Sequence, residues 1–167
     1  MEIRDASIAD IPLLRALAHR IWRVCYPAII SAEQIEFMLE WMYSEDQIRC
    51  EIETGVVWEV VELGDQGPIG FISYQLEPDT RVKLNKLYVL PDYQRKGIGA
   101  RALNHVMESA AKLGGKAVWM QVNKNNRPAV AAYQKAGFVI YEEAVFDIGG
   151  GFVMDDYLMS KPVKDVG

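Results

Sequence analysis

Between Tyr93 and Ala100 the chain reads YQRKGIGA, and the residues up to Ser109 then continue as an amphipathic segment. Gly97 and Gly99 remove side chains from a bend, and Arg95 and Lys96 add positive charge. The helix that begins there offers backbone N–H groups with no carbonyl to receive them. That combination holds a phosphate. Spacing excludes two common cradles: the chain has no G-x-x-x-x-G-K-S/T loop, and Gly97-Ile98-Gly99 lacks the third glycine of a dinucleotide fingerprint. Three N–H groups converging beside two cations suit a pyrophosphate.

The elements that must position this turn follow from hydrophobic period and punctuation. EIRDA opens the chain as a short strand. Ser7 with Asp10 starts a helix whose apolar residues Ile11, Leu14, Leu17, Ala18, Ile21 and Trp22 recur at helical spacing, and Pro27 ends it. Ser31 with Gln34 and Ser44 with Gln47 are capping-box pairs, so two short helices follow, over about 32–43 and 45–54. From Gly55 the period becomes strand-like: VVWEVVEL, PIGFISYQLE and VKLNKLYVL, separated by turns, form an antiparallel meander. After the glycine turn, Leu103, Val106, Met107, Ala110 and Leu113 share a helix face that Gly114-Gly115 terminates. AVWMQV reads as a central strand. Pro128 begins a further helix carrying Ala129, Ala132, Tyr133 and Ala136, and the remainder is a hairpin around Gly149-Gly150-Gly151. The order β-α-α-α-β-β-β-α-β-α-β-β gives a mixed α/β sheet with helices packed on it.

With 167 residues, half of them apolar, the chain has the size of a single globular domain. Its net charge of -5 gives no basic face for nucleic acid. No apolar run approaches the roughly 20 residues needed to span a bilayer, and the N-terminus is not a secretory signal. The expected location is the cytoplasm. Cys25 and Cys50 have no metal-binding or disulfide spacing, so buried, reduced thiols and no metal are expected. His19 and His105 lack companions at ligand spacing, and Trp58 and Trp119 are expected in the core.

The stretch LYVLPDYQRKGIGARALN resembles the acetyl-CoA signature of the GNAT superfamily of N-acetyltransferases, Q/R-x-x-G-x-G-A/G after an L-Y-V-x-P strand end. Gln94, Gly97, Gly99 and Ala100 fill it. A second stretch, NRPAVAAYQKAGF, resembles the later N-x-x-A-x-x-x-Y-x-x-x-G-F segment through Asn126, Ala129, Tyr133, Gly137 and Phe138. The resemblance covers nearly the entire chain, residues 1–167, as one domain. It implies a mostly antiparallel sheet of about seven strands with about five helices, splayed between two central parallel strands. It also implies acetyl-CoA as cofactor. Pantetheine would pair with the strand from Leu84 to Leu90, through Leu87 and Val89 with Tyr88 between them. The pyrophosphate would sit on Gln94, Arg95, Lys96, Gly97, Ile98, Gly99 and Ala100, and Asn126 would bond the cofactor near the pantetheine.

Acetyl transfer to an amine requires one proton to leave the ammonium and one to reach the departing thiolate. The family pattern gives the second task to Tyr133, whose ordinary pKa of about 10 lies near that of a thiol. The first task has no owner: where the branch acting on protein N-termini carries Glu, this chain has Gln121, which cannot take a proton near neutral pH. A water chain and Glu77 are both open as the base.

The acceptor is read from residues 31–54, where Glu33, Glu36, Glu40, Glu45, Asp46, Glu51 and Glu53 face the single base Arg49. An acidic wall favours a small cationic amine such as a polyamine; solvated helix faces would carry the same acids. Ile35, Met38, Leu39 and Met42 form the core face of their helix, while Phe37 and Trp41 project on a separate ridge at i, i+4. That pair suits either a lid over the acceptor or a homodimer contact, and Tyr26 and Tyr43 could join either. Acetylation of a protein N-terminus or lysine, or acyl-CoA sensing without turnover, are the alternatives.

Overall fold

The computed structural model describes residues 1–164. Its elements are β1 (Glu2–Asp5), α1 (Ile11–Cys25), α2 (Ala32–Met42), α3 (Glu45–Glu53), β2 (Val57–Glu62), β3 (Pro68–Leu76), β4 (Arg81–Val89), α4 (Ile98–Lys112), β5 (Ala117–Asn123), α5 (Arg127–Lys135), β6 (Val139–Gly149) and β7 (Phe152–Pro162), in the order expected from the sequence. The strands form a seven-stranded sheet, β1-β2-β3-β4-β5-β7-β6, and β4–β5 is its parallel pair. The chain divides into two compact units, Met1–Gln75 with Lys86–Leu103 and Leu76–Asn85 with Asn104–Gly167.

In the first unit, β1 pairs with β2 and β2 with β3, all antiparallel. Helix α1 carries Pro12 in its first turn, where a missing N–H costs nothing, and buries Ile11, Leu14, Leu17, Ala18, Ile21 and Trp22 as one stripe. The Arg4 guanidinium bonds Asp10 at 3.0 Å and Glu62 at 2.8 Å, joining β1 to the start of α1 and to β2. That contact holds the Asp10 carboxyl below its usual range. The Ser31 and Ser44 hydroxyls cap α2 and α3 by accepting from the Gln34 and Gln47 N–H groups.

The core of this unit is aromatic. Trp22 stacks on Tyr26 at 4.1 Å, Tyr43 stands edge-on to Trp22, Trp58 and Phe71, and Phe71 lies 5.5 Å from Tyr88. Tyr43 therefore does not join a surface ridge, as its place at a helix end suggested. It is fully buried, its hydroxyl accepts from Trp22 Nε1, and burial raises its pKa well above the usual phenol value. Lys86 enters the same core with its ammonium over the Trp58 and Tyr43 rings.

One position is tighter than the sequence shows. Gly70 on β3 lies where an added Cβ would stand 2.3 Å from the Tyr88 carbonyl oxygen, and a neighbouring register shift at Val61/Glu62 marks a bulge. The cysteines are free, but Cys50 is exposed and Cys25 half-buried, correcting the expectation of buried thiols.

In the second unit, β5 lies parallel to β4 over Arg81–Lys83 and antiparallel to β7 along its whole length, and β6 closes the edge as a hairpin with β7. Val118, Met120 and Val122 occupy the buried face of β5. Strand alternation turns Trp119 to the other face, half-buried, where its Nε1 donates to Glu77 at 2.7 Å and Arg81 and Lys83 lie over its ring; it is not a core residue as expected. Leu113 falls just past the last residue of α4 and is 42% exposed, so it leaves the helix face assigned to it. Helix α5 buries none of its own residues.

Gly70→Ala is expected to destabilise the fold by about 1–3 kcal/mol, because the obstructing atom is backbone and cannot rotate away. A urea-denaturation midpoint measures it. An unchanged midpoint would show that β3 and β4 can separate without cost.

Candidate active site

The turn after β4 is built from backbone geometry. Gln94 ends a short 3-10 turn over Pro91–Tyr93, and Arg95 and Gly97 then adopt left-handed φ values of 60° and 76°. Such a conformation is costly for arginine, and it persists only where the surroundings impose it. Part of that constraint is visible: the Gln94 side-chain amide returns to donate to the Val89 carbonyl at 2.9 Å and to Cys25 Sγ at 3.5 Å. The first N–H to enter the helical ladder is that of Arg101, donating to Gly97 O at 3.1 Å. The N–H groups of Ile98, Gly99 and Ala100 precede it and have no carbonyl within the helix.

The two glycines serve different purposes. Gly97 is required by its φ. Gly99 has helical backbone, and a Cβ built on it meets nothing within 4 Å. Neither strain nor packing within the protein explains Gly99, so the space a side chain would occupy is open to a ligand approaching the N–H groups. A pyrophosphate fits this cradle. Arg95 and Lys96 are exposed beside it, Lys96 lying over the Tyr93 ring.

Residue parity on β4 sorts the expected pantetheine partners. The Leu90 N–H donates to Ile69 O on β3, and the Tyr88 carbonyl is the atom that crowds Gly70. The backbone of Tyr88 and Leu90 therefore faces β3, while that of Leu87 and Val89 faces away from it. Tyr88 contributes its side chain elsewhere: its hydroxyl lies 3.1 Å from that of Tyr26 and its ring joins the aromatic core. Tyr26 is buried by the same contacts. On α2, Trp41 is 49% exposed whereas Phe37 is only partly so, and the pair is less prominent than the helical wheel implied.

The acids of this segment divide similarly. Glu36 is paired with Arg23 and Glu45 with Arg49, and Glu51 accepts from Trp58 Nε1. Glu33, Glu40, Asp46 and Glu53 are exposed. His19, which is half-buried, has its pKa lowered by burial and by Arg23 and Arg15.

In the second unit, Asn126 caps α5, its side-chain oxygen accepting from the Ala129 N–H at 3.4 Å. About two turns on, Tyr133 is half-buried and packs edge-on against Phe138, with ring centroids 6.0 Å apart. Ala132 is exposed, so the small residues of α5 form no continuous core stripe around Tyr133. Glu77 is tied to Trp119 beside the start of β4, at the opposite end of that strand from the glycine turn. Gln121 stands opposite Leu158 on β7.

Residues 17–138 match the model of the Acetyltransferase (GNAT) family. The chain belongs to that family and is an acetyl-CoA-dependent N-acyltransferase. It is 29% identical to a spermidine N(1)-acetyltransferase of Thermoplasma acidophilum over 93% of this chain and 96% of that one. The crystal structure of the PaiA N-acetyltransferase from Thermoplasma acidophilum in complex with coenzyme A superposes with a TM-score of 0.82, at 28% identity over 96% and 98% of the two chains. A shorter match, 38% identical over 33% of this chain and 37% of the other, relates it to the ribosomal protein bS18-alanine N-acetyltransferase of Escherichia coli.

Gly99→Ala separates binding from folding. The helix is expected to keep or gain stability, since alanine is the better helix former by about 1 kcal/mol. Coenzyme A affinity is expected to fall about tenfold or more, roughly 1.4 kcal/mol. Calorimetric titration alongside thermal melting measures both; undiminished affinity would move the pyrophosphate off this turn.

Proposed function

We propose that this enzyme transfers an acetyl group from acetyl-CoA to a primary amine of a small cationic acceptor, a polyamine foremost, by direct attack. The observation that carries this reading is the end-to-end similarity to a spermidine N(1)-acetyltransferase. The exposed acids Glu33, Glu40, Asp46 and Glu53 support it, because an anionic surface concentrates a polycation.

In this reading the N–H groups of Ile98, Gly99 and Ala100, with Arg95 and Lys96, hold the pyrophosphate. Gln94 fixes the turn, the outward-facing backbone of Leu87 and Val89 holds the pantetheine amides, and Asn126 bonds near them. When bound, acetyl-CoA supplies an activated acyl thioester. Tyr133 holds a proton for the departing sulfur, and no cysteine is needed as an acyl carrier. Trp41 and Phe37 flank the acceptor. The two free thiols fit a reducing compartment, and we place the enzyme in the cytoplasm. The local match to the ribosomal protein bS18-alanine N-acetyltransferase favours a second reading, acetylation of a protein amine; Gln121 stands against an N-terminal one.

The test is thiol release from acetyl-CoA across polyamines, amino acids, aminoglycosides and N-terminal peptides. Spermidine is expected to be turned over fastest, and Tyr133→Phe to lose roughly 100-fold or more in kcat with coenzyme A affinity unchanged. Preference for peptides would replace the polyamine reading. A fully active Tyr133→Phe would remove Tyr133 as the acid.

A further inference from the structure

Strand β7 carries adjacent acids, Asp155 and Asp156, whose side chains leave opposite faces. Asp155 is exposed and bonded to the Lys124 ammonium at 2.9 Å. Asp156 is only 5% exposed, and its Oδ1 is buried without a hydrogen-bond partner. A buried carboxylate oxygen without a donor is costly, and folds retain such groups where chemistry uses them.

The ladder fixes its neighbours. Asp156 stands opposite Asn123 on β5 and Ala144 on β6, so all three project from one face. Gln121 lies two residues before Asn123 and shares that face. It occupies the position where related enzymes acting on protein N-termini carry glutamate, and it cannot take a proton. Neither strand neighbour can neutralise the carboxylate. Asn123 directs its own oxygen to the Asn125 N–H and its nitrogen towards Met154 Sδ. The nearby cation, Lys124, is already shared between Asp155 and Glu143 of β6.

We propose that Asp156 is the general base of this enzyme, accepting the proton that the acceptor ammonium must lose before it attacks. The proposal rests on amine acetylation by this family and holds whichever amine is the acceptor. One proton passes from the ammonium nitrogen to the Asp156 carboxylate, and the freed lone pair forms the C–N bond as the C–S bond breaks. Tyr133 gives its proton to the sulfur, and the second proton lost by nitrogen restores Tyr133.

Burial, reinforced by the Asp155 charge and opposed by Lys124, raises the Asp156 carboxyl to about 6. The group is thus ionised at neutral pH yet basic enough to take a proton. A carboxyl raised in the folded state stabilises the fold below its unfolded value near 3.8, and that contribution is lost as pH rises through about 6. Asp156→Asn should therefore fold, and at pH 8 should melt no lower than the parent.

The experiment is the pH profile of kcat/KM from pH 5 to 9 for the parent, Asp156→Asn and Asp156→Glu, with the best acceptor from the amine panel. The parent is expected to show an inflection near pH 6. Asp156→Asn should lose about 100-fold or more near neutrality, and its rate should instead climb tenfold per pH unit because only pre-formed free amine reacts. Asp156→Glu should keep a shifted inflection. An inflection near 6 retained in Asp156→Asn, or a uniform loss at every pH, would overturn the assignment. Were the amide variant not to fold, an unshifted profile in Asp156→Glu would overturn it equally. If a peptide rather than spermidine is turned over, the polyamine reading fails, and the same profiles still decide the role of Asp156.

Discussion

Three backbone N–H groups at the start of α4 have no carbonyl to receive them, and the chain makes two left-handed residues in order to present them. Everything nearby constrains that presentation. The Gln94 amide clasps the Val89 carbonyl, Gly97 takes a φ that side chains resist, and Gly99 leaves open space where a side chain would stand. The result is a turn shaped before any ligand arrives, and such preorganisation is what the proposed binding of a polyanion by an acidic protein requires.

Magnitudes decide which part of the cradle matters most. Arg95 and Lys96 are exposed, and cations in water contribute at most about 1 kcal/mol each to an ion pair. Backbone donors at a helix end lose no rotamer entropy on binding and carry the aligned dipole with them. In the proposed site the cations would therefore tune binding and the backbone would carry it. Behind the turn, the aromatic core from Trp22 to Tyr88 fixes the end of β4, and the Gly70 contact sets how closely β3 can approach it.

The order of strands and helices was readable because capping serines, glycine turns and changes of period coincide at nearly every boundary. The glycine turn and the register from Asn126 to Tyr133 were readable for the same reason: their spacing is local. What failed was local reasoning about distant neighbours. Tyr43 at a helix end is enclosed by Trp58 and Phe71, which lie remote from it in sequence. Gly70 resembles any strand glycine until the Tyr88 carbonyl is seen against it. Trp119 sits in a strand and is expected in the core, yet strict alternation with Val118 and Met120 turns it to the other face. Asp156 left a comparable signal: two adjacent acids on a strand cannot both face solvent when one face is covered.

The central claim is that the backbone from Arg95 to Ala100 holds the pyrophosphate, and amide NMR tests it most directly. On titration of ¹⁵N-labelled protein with coenzyme A, the Ile98, Gly99 and Ala100 amides are expected to show the largest shifts and to gain protection from hydrogen exchange. 3′-Dephospho-coenzyme A, which retains the pyrophosphate, should give the same pattern. Saturating binding that leaves these three amides unshifted and unprotected would contradict the account.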